Sequence, residues 1–153
     1  MLALVAALAL PMAPLQSPEA EVAATIDALH VAASSADSAA YFALFTPDAR
    51  FIGTDAAERW TLPEFRAYAE PVFARGQGWT YTPVERTVTL APIACRCIAW
   101  FDEVLNNKSY GVTRGSGVLR LTDGGWKIEQ YVLSFAVPND QARAVVETIR
   151  SPE

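Results

Sequence analysis

Asp102 is the residue in this sequence best placed to move a proton. In Ala99-Trp100-Phe101-Asp102-Glu103, strand alternation puts Trp100 and Asp102 on one face, Phe101 and Glu103 on the other. With the first pair turned inward, a carboxylate lies in a Trp-walled cleft. Desolvation there favours the neutral acid, a form that can give and take a proton near neutral pH. The alternatives are a surface carboxylate at a strand end and a structural ion pair with Arg114. His30, the single histidine, and Gln130 could join Asp102 across the cleft to activate water or polarise a carbonyl. Trp60, Tyr68 and Trp79 are candidate walls, or plain core, and Ser134 is a further lining candidate. No G-x-S-x-G, H-E-x-x-H, phosphate-binding loop or dinucleotide fingerprint occurs. One histidine and two closely spaced cysteines cannot assemble a usual zinc site. The chemistry that remains needs no metal and no cofactor.

These side chains must be positioned by a sheet, and its organising stretch runs from Ser109 to Pro138. Two apolar-rich runs flank Thr122-Asp123-Gly124-Gly125, and an Asp-Gly pair in such a place signals a hairpin with a type I′ turn. Each arm is about twice the length of an ordinary strand, which suits a strongly bent sheet. With Asp123-Gly124 as a two-residue turn, Leu119, Leu121, Trp126 and Ile128 share one face. Gly115, Gly117, Gln130, Val132 and Ser134 continue that face, so solid core gives way to small and polar groups that leave room for a cavity. A one-residue slip would send Arg114 and Ser116 inward instead.

Elsewhere the chain reads as helices followed by long strands. Val22, Ile26, Leu29 and Ala33 form one apolar stripe of a helix over 19–34, with His30 at its edge as either a half-buried residue or a pocket base. A second short helix is predicted over 39–45, capped by Asp37 or Ser38, with Tyr41, Leu44 and Phe45 inward. A short strand over 49–53 and a loop over 54–59 come next. Thr61 and Glu64 form a capping box for a third helix, which Pro71 should kink or end. Strands are expected over 79–90 and 93–105, and Asn139-Asp140 should cap a last helix with Ala142, Val145, Val146 and Ile149 as its stripe. Helices gathered on one side of an antiparallel sheet make an α+β fold. The expected form is a cone-shaped, curved antiparallel sheet wrapped around about three helices.

At 153 residues the chain suits one domain, over 19–153, preceded by a leader over 1–18. The wholly apolar Met1–Leu10 is too short to span a bilayer. It fits either a signal-peptide core or a disordered start, which makes the protein periplasmic or secreted in the first case and cytoplasmic in the second. A net charge of −5 without a basic cluster argues against nucleic acid and anionic membrane as partners. Cys95 and Cys97, read as part of a strand, would have Cα atoms roughly 6.5–7 Å apart. That is at the limit of disulfide geometry, and two buried thiols are the expectation.

The runs F-I-G-T-D-A-A-E-R-W-T-L-P-E-F, G-W-T-Y-T-P, A-W-F-D-E, R-G-S-G-V-L and D-G-G-W-K-I-E-Q-Y-V-L-S-F resemble, in order, the SnoaL-like branch of the nuclear transport factor 2-like superfamily. The resemblance covers roughly residues 20 to 140. It implies a cone-shaped α+β barrel, commonly a homodimer through the outer sheet face, around a pocket for a small, largely apolar molecule. Members include isomerases, cyclases, dehydratases and hydrolases as well as non-catalytic binding or dimerisation modules, so the resemblance implies no single activity. An inward Asp on a sheet strand is often the working residue in its enzymes, which would give Asp102 that role with His30.

Overall fold

A computed structural model of the chain describes residues 16–151; most of the stretch read as a leader lies outside the described residues. Four helices and six strands follow in the order α1 (Pro18–Ser34), α2 (Ser38–Ala43), β1 (Phe45–Ile52), β2 (Arg59–Thr61), α3 (Leu62–Phe73), β3 (Thr82–Leu90), β4 (Ile98–Asn107), β5 (Gly111–Thr122), β6 (Gly125–Phe135) and α4 (Ala142–Arg150). The strands form one curved, unclosed sheet in the order β2-β1-β6-β5-β4-β3. Neighbours are antiparallel except β1, which runs parallel to β6. The fold is α+β, as the sequence pattern implies.

Helix boundaries follow local chemistry. Ser17 caps α1, and the expected stripe of Val22, Ile26, Leu29 and Ala33 is buried, with His30 buried beside it. Asp37 caps α2, which is shorter than expected because Phe45 already begins β1. Thr61 and Glu64 make both bonds of the capping box on α3, and the helix ends two residues after Pro71. Arg59, expected to end the loop over 54–59, instead begins an edge strand over 59–61 that pairs with β1. Among the described residues the apolar stripe of α4 has no partner: none of its residues is buried, and its N-cap Gln141 makes no side-chain capping bond.

The long hairpin forms with arms of 12 and 11 residues. Its turn differs from the expected type I′: the left-handed residue is Gly125, at φ 89°, and neither Asp123 nor Gly124 has positive φ. A type I turn followed by a left-handed glycine serves the same purpose. Register near the turn matches the expectation, with Leu121 opposite Trp126 and Leu119 opposite Ile128. Beyond it, Val118 pairs with Gln130, so Glu129 is an extra, bulged residue. Thr46 Oγ1 donates to one Glu129 oxygen at 3.0 Å and Arg120 pairs with the other, which anchors the bulge. A bulge reverses the facing of everything after it. Tyr131 and Leu133 therefore point inward and are buried, whereas Gln130, Val132 and Ser134 turn to the outer face.

The cysteines also depart from expectation. Cys95 and Cys97 are joined by a disulfide with Cα atoms 5.1 Å apart. They sit in a tight turn before β4 rather than in a strand, and Arg96 between them adopts φ 48°. That left-handed bend shortens the separation an extended chain would have.

Candidate functional site

Strand parity decides what the sheet offers its interior. On β4 the buried positions are Ala99, Phe101, Glu103 and Leu105. Trp100, at 44% exposure, and Asp102 face outward together. The expected inward carboxylate at Asp102 is thus corrected by one position, to Glu103. The parity is set across strands: Ala99, Glu103 and Leu105 stand opposite the buried Leu119, Gly115 and Thr113 of β5, and directly opposed residues share a face.

Glu103 is 0% exposed and each of its oxygens is engaged. Arg86 stands directly opposite on β3. Its Nε donates to Oε2 at 2.9 Å, and its Nη2 lies 2.8 Å from the same oxygen, an ion-pair contact too bent to count as a hydrogen bond. Nη1 donates to Asp27 at 2.8 Å and to the Ala23 carbonyl at 3.1 Å, tying the sheet to α1. Burial works against the Arg86 charge, but the bonds to Asp27 and Glu103 outweigh it and raise the guanidinium pKa above its ordinary value. The other oxygen, Oε1, takes His30 Nε2 at 2.8 Å and the Tyr131 hydroxyl at 3.3 Å. Gly115, opposite Glu103 on β5, makes this meeting sterically feasible. A Cβ there would lie 2.5 Å from the Tyr131 oxygen and 2.8 Å from Glu103 Oε1.

His30 and Tyr131 border a cavity of about 470 Å³. Its walls are aromatic: Phe51 and Phe65 stack with centroids 3.9 Å apart, Trp60 lies over Tyr68 at 5.0 Å, and Trp79 packs on Phe73 at 4.6 Å. Glu58 and Lys108 also line it. The β4–β5 turn is held at this cavity by Asn107, which donates to the Thr80 carbonyl at 3.0 Å and accepts from the Ser109 and Tyr110 amides.

Of the residues singled out from the sequence, the structure brings His30, Trp60, Tyr68 and Trp79 together around the cavity. Asp102, Trp100 and Gln130 lie on the outer sheet face. Arg114 and Ser134 also lie outside, where they line a separate open groove. Asp102 and Arg114 form no ion pair among the described residues. Glu103, Arg86, Asp27 and Tyr131 were missed. No local signal separates Glu103 from Asp102, because Ile98, Trp100, Asp102 and Val104 alternate just as Ala99, Phe101, Glu103 and Leu105 do.

Buried tyrosines make the domain sensitive to base. Burial, then the nearby Glu103 charge, push the Tyr131 hydroxyl well above its ordinary pKa. Burial likewise raises Tyr41, and takes Tyr81 to about 12. A raised pKa means the folded state holds the proton more tightly, so this stability is fully present below about pH 10, the unfolded value, and is lost as pH rises through the folded values. Urea unfolding between roughly pH 9 and pH 12 should show falling stability, with a smaller slope in Tyr131→Phe. An unchanged slope in that variant would refute the assignment.

A curved α+β sheet folded over helices, with a polar group at the end of an aromatic-walled cavity, defines the class of nuclear transport factor 2-like pocket domains. A SnoaL-like domain model matches residues 22–138, and the chain belongs to that family. Solved structures agree on the fold. A nuclear transport factor 2-like protein of unknown function from Pseudomonas putida KT2440 is 17% identical, with 82% of this chain and 89% of that one covered and a TM-score of 0.65. A domain of unknown function with a cystatin-like fold from Nostoc punctiforme is 15% identical, covering 91% and 90%, with a TM-score of 0.68. A candidate dehydratase of the same superfamily from Streptomyces avermitilis is 14% identical, covering 78% and 96%, with a TM-score of 0.66. A search of curated proteins finds no match to the chain.

Proposed function

We propose that this domain binds a small, largely apolar, aromatic molecule in its cavity and moves a proton on it, with His30 as the general base. The observation that carries this is the 2.8 Å bond from His30 Nε2 to the buried Glu103 carboxylate, itself paired with Arg86. A carboxylate on one ring nitrogen fixes the tautomer and supports the positive charge when the other nitrogen accepts a proton. Glu103 and Arg86 are positioning residues, and Trp60, Tyr68 and Trp79 are walls for the ligand. Proton transfer by a positioned side chain is worth about 10²–10⁴-fold in rate, and it suits isomerase, cyclase, lyase or hydrolase chemistry.

A flat aromatic probe of base strength tests the reading. In 5-nitrobenzisoxazole, a base removes the ring C–H proton, the C–H electron pair forms the nitrile, and the N–O bond breaks to leave a coloured phenolate. The wild type should speed this opening roughly 10²-fold or more over buffer. His30→Ala should return it to background while keeping its fold by circular dichroism. A wild type no faster than His30→Ala would end the proposal.

A further inference from the structure

Hydrogen-bond bookkeeping around Glu103 restricts what a ligand's polar group can be. Glu103 only accepts here: Oε2 is taken by Arg86, and Oε1 receives both His30 Nε2 and the Tyr131 hydroxyl. The His30 proton therefore sits on Nε2, an assignment that follows from its carboxylate partner. The single Tyr131 proton is likewise directed at Glu103. What remains for a ligand at this corner is the Nδ1 lone pair of His30 and the oxygen lone pairs of Tyr131. Nδ1 makes no hydrogen bond among the described residues. The buried polar side-chain atoms without a partner there are Arg86 Nη2 and Thr113 Oγ1, so Nδ1 is unpaired without being sealed off.

Resting on the pocket reading above, we infer that the ligand presents a hydrogen-bond donor to the His30–Tyr131 corner: the site takes a neutral phenol- or enol-type hydroxyl on a flat apolar body, and discriminates against carbonyl and ether analogues of the same shape. A carbonyl oxygen placed there faces two acceptors, and a buried polar group left without its partner is disfavoured strongly. The aromatic walls are indifferent to this choice, because they contact the body and not the polar group. The Tyr41 hydroxyl also borders the cavity, so the preference belongs to the His30–Tyr131 corner and not to the whole lining. Polarity at the corner is thus set by Glu103 through its two partners.

Glu103→Gln should invert it. Arg86 requires an acceptor, so the amide oxygen turns to Arg86 and the amide NH2 faces His30 and Tyr131. His30 Nε2 must then accept, which moves the ring proton to Nδ1, and the Tyr131 hydroxyl is released to donate. The corner changes from two acceptors to two donors with hardly any change of shape.

The test is calorimetric titration at neutral pH with 2-naphthol, 2-methoxynaphthalene and 2-acetylnaphthalene. For the wild type, 2-naphthol should bind roughly ten- to a hundredfold more tightly than the ether or the ketone. In Glu103→Gln the order should reverse in favour of the ketone. A wild type that binds the ketone as tightly as the naphthol, or none of the three, overturns the inference. Should Glu103→Gln not fold, the wild-type ranking decides alone. The outcome is separable from the base proposal: a donor preference without benzisoxazole opening refutes His30 as base and leaves the polarity standing, and the converse leaves the base and removes the polarity.

Discussion

Glu103→Ala is expected to cost about 3–5 kcal/mol of folding stability, the range found when one member of a buried ion pair is removed. The reason lies in what is left behind. Arg86 is 12% exposed at its side chain and would keep only Asp27, itself 64% exposed, as a carboxylate partner. His30 Nε2 and the Tyr131 hydroxyl would lose their shared acceptor in the same step, and stranded buried donors add to the loss. The decisive comparison is with Glu103→Leu/Arg86→Met, in which the charge is removed from both strands. Replacing a buried pair by apolar groups of similar volume is often neutral or stabilising, so the double variant should recover the part of the deficit that comes from stranding Arg86, with His30 and Tyr131 still lacking their acceptor. Urea unfolding of the two single variants and the double one gives the coupling energy directly. Single variants that simply add would show that Arg86 and Glu103 are not energetically linked, and the polar corner would lose its structural footing.

The same pair explains what the sequence discloses and what it withholds. Where a feature depends on a few neighbouring residues, it can be read directly. Thr61 with Glu64 specifies the start of α3, the 3-4-3 stripe specifies the buried face of α1, and the glycines after Thr122 specify the hairpin. Features that depend on a choice between two equivalent faces are harder. Asp102 and Glu103 are adjacent carboxylates of opposite parity, and their neighbours do not choose between them: Ile98, Trp100 and Val104 are no less apolar than Ala99, Phe101 and Leu105. The bulge at Glu129 is harder still, because its anchors, Thr46 and Arg120, come from two other strands. A single extra residue there puts Tyr131 beside Glu103 and sends Gln130 out. Pairing across strands also hid Arg86: a lone arginine in an exposed-looking run, Thr82–Leu90, gives no hint that Glu103 will stand opposite. The cysteines make the same point on a smaller scale, since the left-handed Arg96 that brings them together has no signature in Cys-Arg-Cys.

The family assignment fixes the sheet and the helices but not the chemistry, and the chemistry turns on the contrast between the cavity's two materials. One corner is polar and tied together through Glu103. Beside it runs a stack of near-parallel rings, in which Phe51 stacks on Phe65 at 3.9 Å, Phe65 stacks on Trp60 at 5.6 Å, and Phe51 stacks on Tyr131 at 5.5 Å. The last contact connects the two: the ring that carries the polar hydroxyl is held by the apolar stack. Movement of the stack would shift Tyr131 against Glu103.

Phe65→Ala should therefore be the most damaging change on the apolar side. Phe65 is 2% exposed, begins the buried stripe of α3, and touches rings from α2, β1 and the strand edge at Trp60. Deleting a buried phenyl ring removes its transfer free energy and leaves a void, about 3–5 kcal/mol in all. Phe65 also lines the existing cavity, so the void opens into space already there instead of closing by collapse. That geometry makes a second expectation: toluene, which fits the vacated ring volume, should raise the melting temperature of Phe65→Ala more than that of the wild type, because a ligand bound only by the folded state stabilises it by mass action. Urea unfolding measures the first effect, and thermal melts with and without toluene measure the second. A loss below about 1 kcal/mol would mean that the stack is not holding the cavity wall, since ordinary surface substitutions fall in that range. Equal toluene shifts in the two proteins would mean that the vacated volume has closed up, with Trp60 or Phe51 moving into it.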